Sequence, residues 1–345
     1  MRMWRPISIL AVLLVLATPA TAQLSLTPPV AQAPAAKPKP KPHSIAKKPA
    51  AETKPPAATV TPAPAPDDPN VDLVYGAYQR GLYKTSFDLA SARAQTGDVK
   101  AMTMLGELYA NAMGVKRDYA KANEWYKRAS DGGDREAMFA LAMMRIAGRG
   151  GPVDKQEAVR LLASSAKLGE PKAAYNLALL YLDGKTLPQD FNRAAELLRM
   201  AADAGNAEAQ YALATFYKEG TGVPKDIEKS VRLLQAAALA DNVDAEVEYA
   251  IALFNGTGTP KNEPAAVALL RKAARQNSPI AQNRLAHVLV TGQGAPMDKI
   301  EGLKWHVIAK TAGKGDLFLD EALAQLSPED RAKVDAAARH WLNLK

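Results

Sequence analysis

A single pattern of 36 residues recurs six times between residues 98 and 313, without an insertion or a deletion. One position of the pattern holds leucine in five units and tyrosine in one, and an alanine lies four residues before it every time. The two columns are Leu105, Leu141, Leu177, Leu213, Tyr249 and Leu285, and Ala101, Ala137, Ala173, Ala209, Ala245 and Ala281. Self-similarity at this period is typical of a solenoid, in which each unit buries its apolar face only against its neighbours.

The first half of each unit predicts an α-helix with a start and a stop signal. The start column is Asp98, Asp134, Glu170, Asn206, Asn242 and Ser278, and five of these six are residue types that accept a hydrogen bond from the first turn of a helix. The stop column is Ala112, Gly148, Gly184, Gly220, Gly256 and Gly292. Glycine ends a helix readily because it adopts the left-handed backbone conformation without strain.

The second half of each unit predicts another helix. It starts at Asp118, Asp154, Asp190, Asp226, Asn262 or Asp298 and ends at Gly133, Gly169, Gly205, Asp241, Asn277 or Gly313. Small and large apolar residues alternate along it at helical spacing, which lets neighbouring helices interlock. The repeats therefore predict an all-α fold, an α/α solenoid of helix-turn-helix units.

Both ends of the array depart from the regular pattern, as a solenoid requires in order to cover its last apolar faces. Residues 71–97 predict a degenerate helical pair around Gly81, ahead of the six repeats at 98–313. Residues 314–345 predict capping helices, the last of which starts at Ser327 and Pro328 and carries Val334 and Trp341 on its apolar stripe. The predicted solenoid as a whole spans residues 71–345.

The N-terminus has the order of a cleavable secretory signal over residues 1–22. Arg2 and Arg5 precede an apolar run, and small residues lead to a predicted cleavage site between Ala22 and Gln23. The apolar core is shorter than the roughly 20 residues that a bilayer span requires. We therefore expect a periplasmic or secreted protein of a bacterial envelope.

Residues 23–70 predict a disordered linker rich in proline, alanine and lysine, because so few large apolar residues cannot offset the entropy of the chain. Of the net charge of +8, Arg2 and Arg5 contribute two and six linker lysines against Glu52 contribute five, so residues 67–345 carry only +1. A nucleic-acid footprint would place its basic residues on the folded domain. The linker is interpreted either as a solvated spacer or as a contact to anionic cell-wall polymer or lipid head groups.

The repeat unit resembles the Sel1-like repeat family. The resemblance covers residues 98–313 and depends on an A-x-x-x-L-(G/A)-x-x-Y helix and a G-x-G-V-P-x-D loop, which is best preserved at residues 220–226. Arg145 departs from the pattern by replacing a tyrosine, and Ala112 and Thr186 replace loop glycines. Tetratricopeptide repeats share the helix-pair design, but they have a period of 34 residues.

The resemblance implies a right-handed superhelix that resembles a tetratricopeptide array and acts as an adaptor rather than a catalyst. Members of the family hold protein partners in membrane-linked signalling, envelope maintenance or degradation complexes. Its secreted members include a periplasmic repressor of exopolysaccharide synthesis. The family implies this class of function and does not name the partner of this chain.

Residues that could carry catalytic chemistry do not form a recognisable set. Cysteine is absent, and the four histidines lack zinc-ligand spacing. Gly184-Lys185-Thr186 lacks the glycine that a phosphate-binding loop requires five residues before Gly184, where Leu179 stands. We therefore expect no enzyme activity, no cofactor and no metal site, and a hydrolytic function is the least favoured hypothesis.

Two positions of each first helix lie farthest from the packing stripe and are apolar in the middle of the array. They give eight candidate partner-binding residues: Phe139, Met143, Tyr175, Leu179, Tyr211, Thr215, Val247 and Ile251. One interpretation is a concave groove that accepts a helix or an extended peptide. The other is that the first helix is buried on nearly every side.

These observations predict an exported, non-catalytic scaffold for protein–protein interaction, in a periplasmic signalling or envelope complex that regulates exopolysaccharide or cell-wall processes. Its partner is a protein or peptide, and nucleic acid is not expected. The alternative is a module that binds the cell wall or a polysaccharide with help from the basic linker.

Overall fold

The computed structural model describes residues 72–343, and within that range the chain forms sixteen α-helices and no β-strand. The helices are α1 Leu73–Gln79, α2 Tyr83–Gln95, α3 Val99–Asn111, α4 Tyr119–Asp131, α5 Arg135–Ala147, α6 Lys155–Lys167, α7 Pro171–Asp183, α8 Phe191–Asp203, α9 Ala207–Glu219, α10 Ile227–Leu239, α11 Val243–Asn255, α12 Glu263–Arg275, α13 Pro279–Thr291, α14 Lys299–Thr311, α15 Leu317–Ala324 and α16 Pro328–Leu342. The predicted cleavage site at Ala22 and Gln23 and the predicted linker at residues 23–70 lie outside the described residues.

Helices α1 to α14 pack in chain order, each against its neighbours along the chain, and α15 and α16 both pack against α14. The six predicted repeats are the pairs α3–α4, α5–α6, α7–α8, α9–α10, α11–α12 and α13–α14. The predicted all-α solenoid is therefore confirmed.

Every helix of the six repeats begins immediately after the polar residue that the sequence indicates. The side chain of Asp134 accepts a hydrogen bond from the Ala137 amide at 2.7 Å, and Asp154 accepts one from the Glu157 amide at 2.8 Å. Glu170, the exception among the start residues, accepts from the Lys172 amide at 3.3 Å. Each of these bonds satisfies a backbone donor that the first turn leaves without a partner.

The first helix of every repeat ends in the left-handed backbone conformation. Five of the six residues that adopt it are glycines, whereas the first repeat has Ala112 with φ of 58°. Its amide still donates to the Leu108 carbonyl, so the turn has the same form as in the other units. A β-carbon makes this conformation costly, and Ala112 is therefore a strained position.

The loop that follows approaches the preceding repeat through its second glycine. A β-carbon on Gly222 would lie 2.3 Å from the carbonyl oxygen of Phe191, the first residue of α8. At Gly150 the corresponding distance, to the carbonyl oxygen of Tyr119, would be 2.2 Å. No side chain fits at such distances, so these glycines fix how closely successive repeats stack.

The core between the helices is made of alanine and leucine. Leu162 and Leu198 are fully buried on second helices, Leu285 is fully buried on a first helix, and Leu105 on another first helix is 1% exposed. Because alanine alternates with leucine, the helices approach closely and interlock, as the pattern predicts.

Further helices pack at each end of the array. Helices α1 and α2 form the N-terminal pair, and the Ser86 hydroxyl donates to the Val74 carbonyl at 3.0 Å between them. At the other end, α15 and α16 bury Leu319, Val334 and Ala338. The Trp341 ring meets the Trp305 ring edge to face, with 4.9 Å between their centroids.

Replacing Ala112 by glycine is expected to stabilise the protein. The variant Ala112→Gly removes a β-carbon from a left-handed residue and should raise the free energy of unfolding by about 0.5–1 kcal/mol, measured by urea denaturation. The matched control is Gly220→Ala at the same position of the fourth repeat, which should lower it by about 1 kcal/mol. A fall in stability for Ala112→Gly would contradict this account of the turn.

Candidate partner-binding face

The eight candidate residues occupy the same two positions of α5, α7, α9 and α11, and together we call them the first-helix face. Six of them are half-buried: Phe139, Met143, Tyr175, Tyr211, Thr215 and Ile251. The other two are buried, with Leu179 7% exposed and Val247 4% exposed. The first-helix face therefore combines side chains that belong to the core with side chains that still reach solvent.

Packing explains the buried part of this face. Val247 belongs to the apolar core that α11 to α16 share, and Ile251 packs against that core. Tyr211 packs against Ala214, Leu234 and their neighbours between α9, α10 and α11. The first helices α9 and α11 thus use part of their candidate surface to contact the next repeat.

The two tyrosines of the face have raised pKa values. Burial raises the pKa of the Tyr175 hydroxyl, and the charge of Glu208 adds to the effect. For Tyr211, burial again has the largest effect on the pKa, followed by the charges of Glu248 and Asp244. Both hydroxyls remain protonated at neutral pH and present a hydrogen-bond donor beside carboxylates.

Acidic residues surround this part of the face on α9 and α11. Lys218 of α9 pairs with Glu248 of α11 at 2.9 Å, which links two successive first helices. Glu246 is different, because its side chain is 0% exposed. Its carboxylate lies 2.7 Å from Nζ of Lys272 and accepts a hydrogen bond from Nε2 of Gln276 at 3.0 Å. The position of Glu246 in the pattern gave no indication of a buried ion pair.

At the N-terminal end, the same helix positions carry a polar group. Tyr126 donates its hydroxyl hydrogen to Glu107 at 2.9 Å, and Asn111 donates to the other oxygen of Glu107 at 2.6 Å. Burial, reinforced by Glu107, raises the pKa of Tyr126 well above its usual value. The ring lies so close to Gly106 that a β-carbon there would be 2.6 Å from it.

At the C-terminal end, two histidines hold the capping helix α15. His287 lies 3.0 Å from Asp316 and stacks on Phe318, and the buried His306 lies 2.8 Å from Asp320. The Trp305-His306 pair therefore packs in the core. Among residues 72–343, no group of three or more histidines and carboxylates is arranged to hold a metal ion.

No helix in the described part of the chain combines the length and the apolar character needed to cross a membrane. The carboxylates Asp118, Asp154, Asp190 and Asp226 all cap helices, as their positions predict.

The model of the Sel1 repeat matches the chain six times, at residues 99–134, 135–170, 171–206, 207–242, 243–278 and 279–314. The chain belongs to the Sel1 repeat family. Sel1 repeat proteins are in general non-catalytic scaffolds for protein–protein interaction. The resemblance that the sequence suggests is confirmed, and each matched unit starts one residue after the predicted start column.

Solved structures of Sel1 repeat proteins have the same fold. A Sel1 repeat protein from Oxalobacter formigenes is 25% identical, with a TM-score of 0.62 over 69% of this chain and 98% of its own. The protective antigen c5321 of uropathogenic Escherichia coli is 24% identical, with a TM-score of 0.53 over 76% of this chain and 64% of its own. No curated protein shows significant similarity to the chain.

The ion pair between the buried Glu246 and the partly exposed Lys272 of this Sel1 repeat protein gives a testable prediction. The variant Lys272→Met leaves Glu246 with only Gln276, and we expect it to lower the free energy of unfolding by about 2 kcal/mol, less than for a fully buried pair because Lys272 is partly exposed. The measurement is the urea midpoint at neutral pH.

The control variants replace Glu246 by glutamine, alone and together with Lys272→Met. Glutamine is chosen because Gln210 and Gln282 stand at the position of Glu246 in the neighbouring repeats. We expect Glu246→Gln alone to change stability by less than about 1 kcal/mol, and the double variant to recover most of the loss, since no buried charge remains. If Lys272→Met and the double variant lose the same free energy of unfolding, the buried charge of Glu246 is not the cause of the destabilisation.

Proposed function

We propose that this Sel1 repeat protein is an exported, non-catalytic scaffold that binds a protein partner through its first-helix face. The setting is a periplasmic signalling or envelope complex, for example one that regulates exopolysaccharide or cell-wall processes. The secretory pattern of residues 1–22 supports export, and membership of the family supports the scaffold class.

The observation that carries the proposal is the partial burial of the first-helix face. Phe139, Met143, Tyr175 and Tyr211 lie on three successive first helices and none of them is fully covered. A core position would be buried throughout, and a surface position would not be aromatic in three repeats. Half-buried aromatic side chains with protonated hydroxyls are typical of surfaces that bind other proteins.

The nearby charges indicate the kind of segment that fits. Glu208, Asp244 and Glu248 lie close enough to the two tyrosines to influence their pKa values. A partner segment that combines apolar residues with lysine or arginine would complement this part of the face.

The test is crosslinking of the mature chain, from Gln23 onward, in envelope extract of the producing bacterium, followed by mass spectrometry. The variant Met143→Lys/Tyr175→Lys places two charges on half-buried positions of the first-helix face and leaves the buried Leu179 intact. We expect the variant to capture about tenfold less partner than the unmodified protein, or less still, because burying an unpaired charge at the interface costs several times the thermal energy.

The matched control is Met200→Lys/Leu239→Lys, which also replaces two apolar residues, at exposed positions of second helices. It should capture the partner as the unmodified protein does, and circular dichroism should show that all three proteins are folded. Equal capture by both variants would exclude the first-helix face as the binding surface.

The net charge of +5 on residues 23–66 favours one second candidate, a module that binds anionic cell wall or polysaccharide. Deletion of residues 23–66 separates the two functions. Under the scaffold function, retention in a cell-wall pull-down should be unchanged. Under the wall-binding function, it should fall about tenfold. Retention of the unmodified protein should then also weaken as salt is raised, because exposed charges are screened by salt.

A further inference from the structure

The six repeats provide an internal comparison for one small cluster at each junction. The cluster, which we call the junction triple, consists of one residue of the preceding second helix, one residue near the end of the first helix and one residue of the loop after it. The five triples that follow the common pattern are Phe87, Tyr109 and Val115; Val159, Tyr181 and Leu187; Ala195, Tyr217 and Val223; Val231, Leu253 and Thr259; and Val267, Leu289 and Ala295.

These triples are almost entirely apolar. Phe87 and Tyr109 meet edge to face, with 5.5 Å between their ring centroids. Val223 and Leu289 are buried at later junctions. Apolar side chains need no hydrogen-bond partners, so they can be buried without the cost of an unpaired polar group.

The second junction breaks the pattern at all three positions, with Asn123, Arg145 and Gly151. A β-carbon on Gly151 would lie 3.2 Å from Nη1 of Arg145 and 3.6 Å from Nδ2 of Asn123. The same Nδ2 donates to the Gly150 carbonyl at 3.1 Å. The arginine and the asparagine therefore fill the space that apolar side chains occupy elsewhere, and the glycine makes room for them.

One buried polar atom of this cluster has no hydrogen-bond partner within the described part of the chain. Oδ1 of Asn123 is closed to solvent and accepts no hydrogen bond from any described residue. The equivalent position elsewhere in the array holds valine, alanine, leucine or phenylalanine. An apolar side chain there would bury no unpaired polar atom and would avoid the free-energy cost of doing so. Packing alone therefore gives no reason for a polar triple at this junction.

Two more arginines lie beside the ring of Tyr119, the first residue of α4. The guanidinium of Arg149 lies 5.6 Å from the centre of the Tyr119 ring, and that of Arg117 lies 5.9 Å from it. Gly150 abuts the Tyr119 backbone, and Arg145 borders Gly151, the next residue. Three guanidinium groups thus border a loop in which three of four residues, 148 to 151, are glycine.

The nearest carboxylates along the chain leave the charges of Arg117 and Arg145 uncompensated. Asp118 accepts from the Lys121 amide at 3.0 Å, and Asp154 caps α6 in the same way. Arg117 and Arg145 form no ion pair and no hydrogen bond with a described residue. The loop lysines of two other junctions are paired, Lys185 with Asp183 and Lys261 with Glu263, each at 2.7 Å.

We propose that this junction is a binding site for a phosphate group. Guanidinium groups bind phosphate through two parallel hydrogen bonds, and glycine lets a ligand approach the backbone closely. Inorganic phosphate carries about two negative charges at neutral pH and the phosphodiester of a phospholipid carries one, and both present several acceptor oxygens to guanidinium groups. The phosphate belongs either to a free ion or to a lipid head group, and the site is separate from the first-helix face.

The test compares two probes on the mature chain at constant ionic strength. Inorganic phosphate is titrated by calorimetry, and vesicles of phosphatidylglycerol are compared with vesicles of phosphatidylcholine by sedimentation. The variant Asn123→Val/Arg145→Tyr/Gly151→Leu installs the triple of the next repeat. Gly151 does not adopt the left-handed conformation, so a side chain is tolerated there.

We expect this variant to bind about tenfold more weakly or worse, because it loses a charged hydrogen-bond donor. Its urea midpoint should equal or exceed that of the unmodified protein. Arg117→Gln, an exposed single change, should also weaken binding and tests the site without altering the packing beneath the loop.

Lys225→Gln is the matched control, because it removes one positive charge at the position of Arg117 in the loop of the fourth repeat and should bind as the unmodified protein does. The linker lysines are the same in all variants, so they cannot produce a difference between them. Phosphate binding that only the junction variants weaken supports a free ion. Vesicle binding without phosphate binding, lost in the same variants, supports a lipid head group. Equal binding by all variants, or no binding of either probe, overturns the proposal.

Discussion

Five of the six repeats of this solenoid depend on the close approach of a loop to the first turn of the preceding second helix. Five loops use a glycine for this contact, Gly114, Gly150, Gly222, Gly258 and Gly294, and a β-carbon on any of them would meet the preceding helix within about 3 Å. The third repeat has Thr186 instead, outside the left-handed region, and there Gln189 donates to the Leu182 carbonyl at 2.9 Å. The 36-residue spacing is preserved, so the stack continues through a loop of a different form.

Because the backbone frame repeats, functional differences between the units lie in side chains at equivalent positions. The first-helix face in the middle of the array is mostly aromatic or aliphatic. At the ends of the array, the equivalent positions hold Glu107, which accepts a hydrogen bond from Tyr126, and His287, which is hydrogen-bonded to Asp316. The junction triple is apolar in nearly every unit and polar in one. In a repeat protein of this kind, the other units show which residue types packing favours at a position, so a unit that departs from them can be recognised.

Local structure was predictable to within about a residue, because caps, stop signals and apolar periodicity act over a few neighbouring residues. The candidate face was only partly predictable. A helical wheel places Leu179 and Tyr175 on the same side of α7, yet Leu179 is buried and Tyr175 is half-buried. That difference depends on which side chains of the neighbouring helices cover each position. The wheel does not contain this information.

The sequence by itself determined the repeat, its helix pairs, their caps and the family, since these follow from short-range chemistry repeated at a constant interval. Only the tertiary structure decided how much of each first helix remains exposed, that Glu246 is buried against Lys272, and that Arg117, Arg145 and Arg149 border one loop. Such groups come from different helices and loops, and their energies depend on distance and burial rather than on spacing along the chain. Stacking of the repeats brings them together.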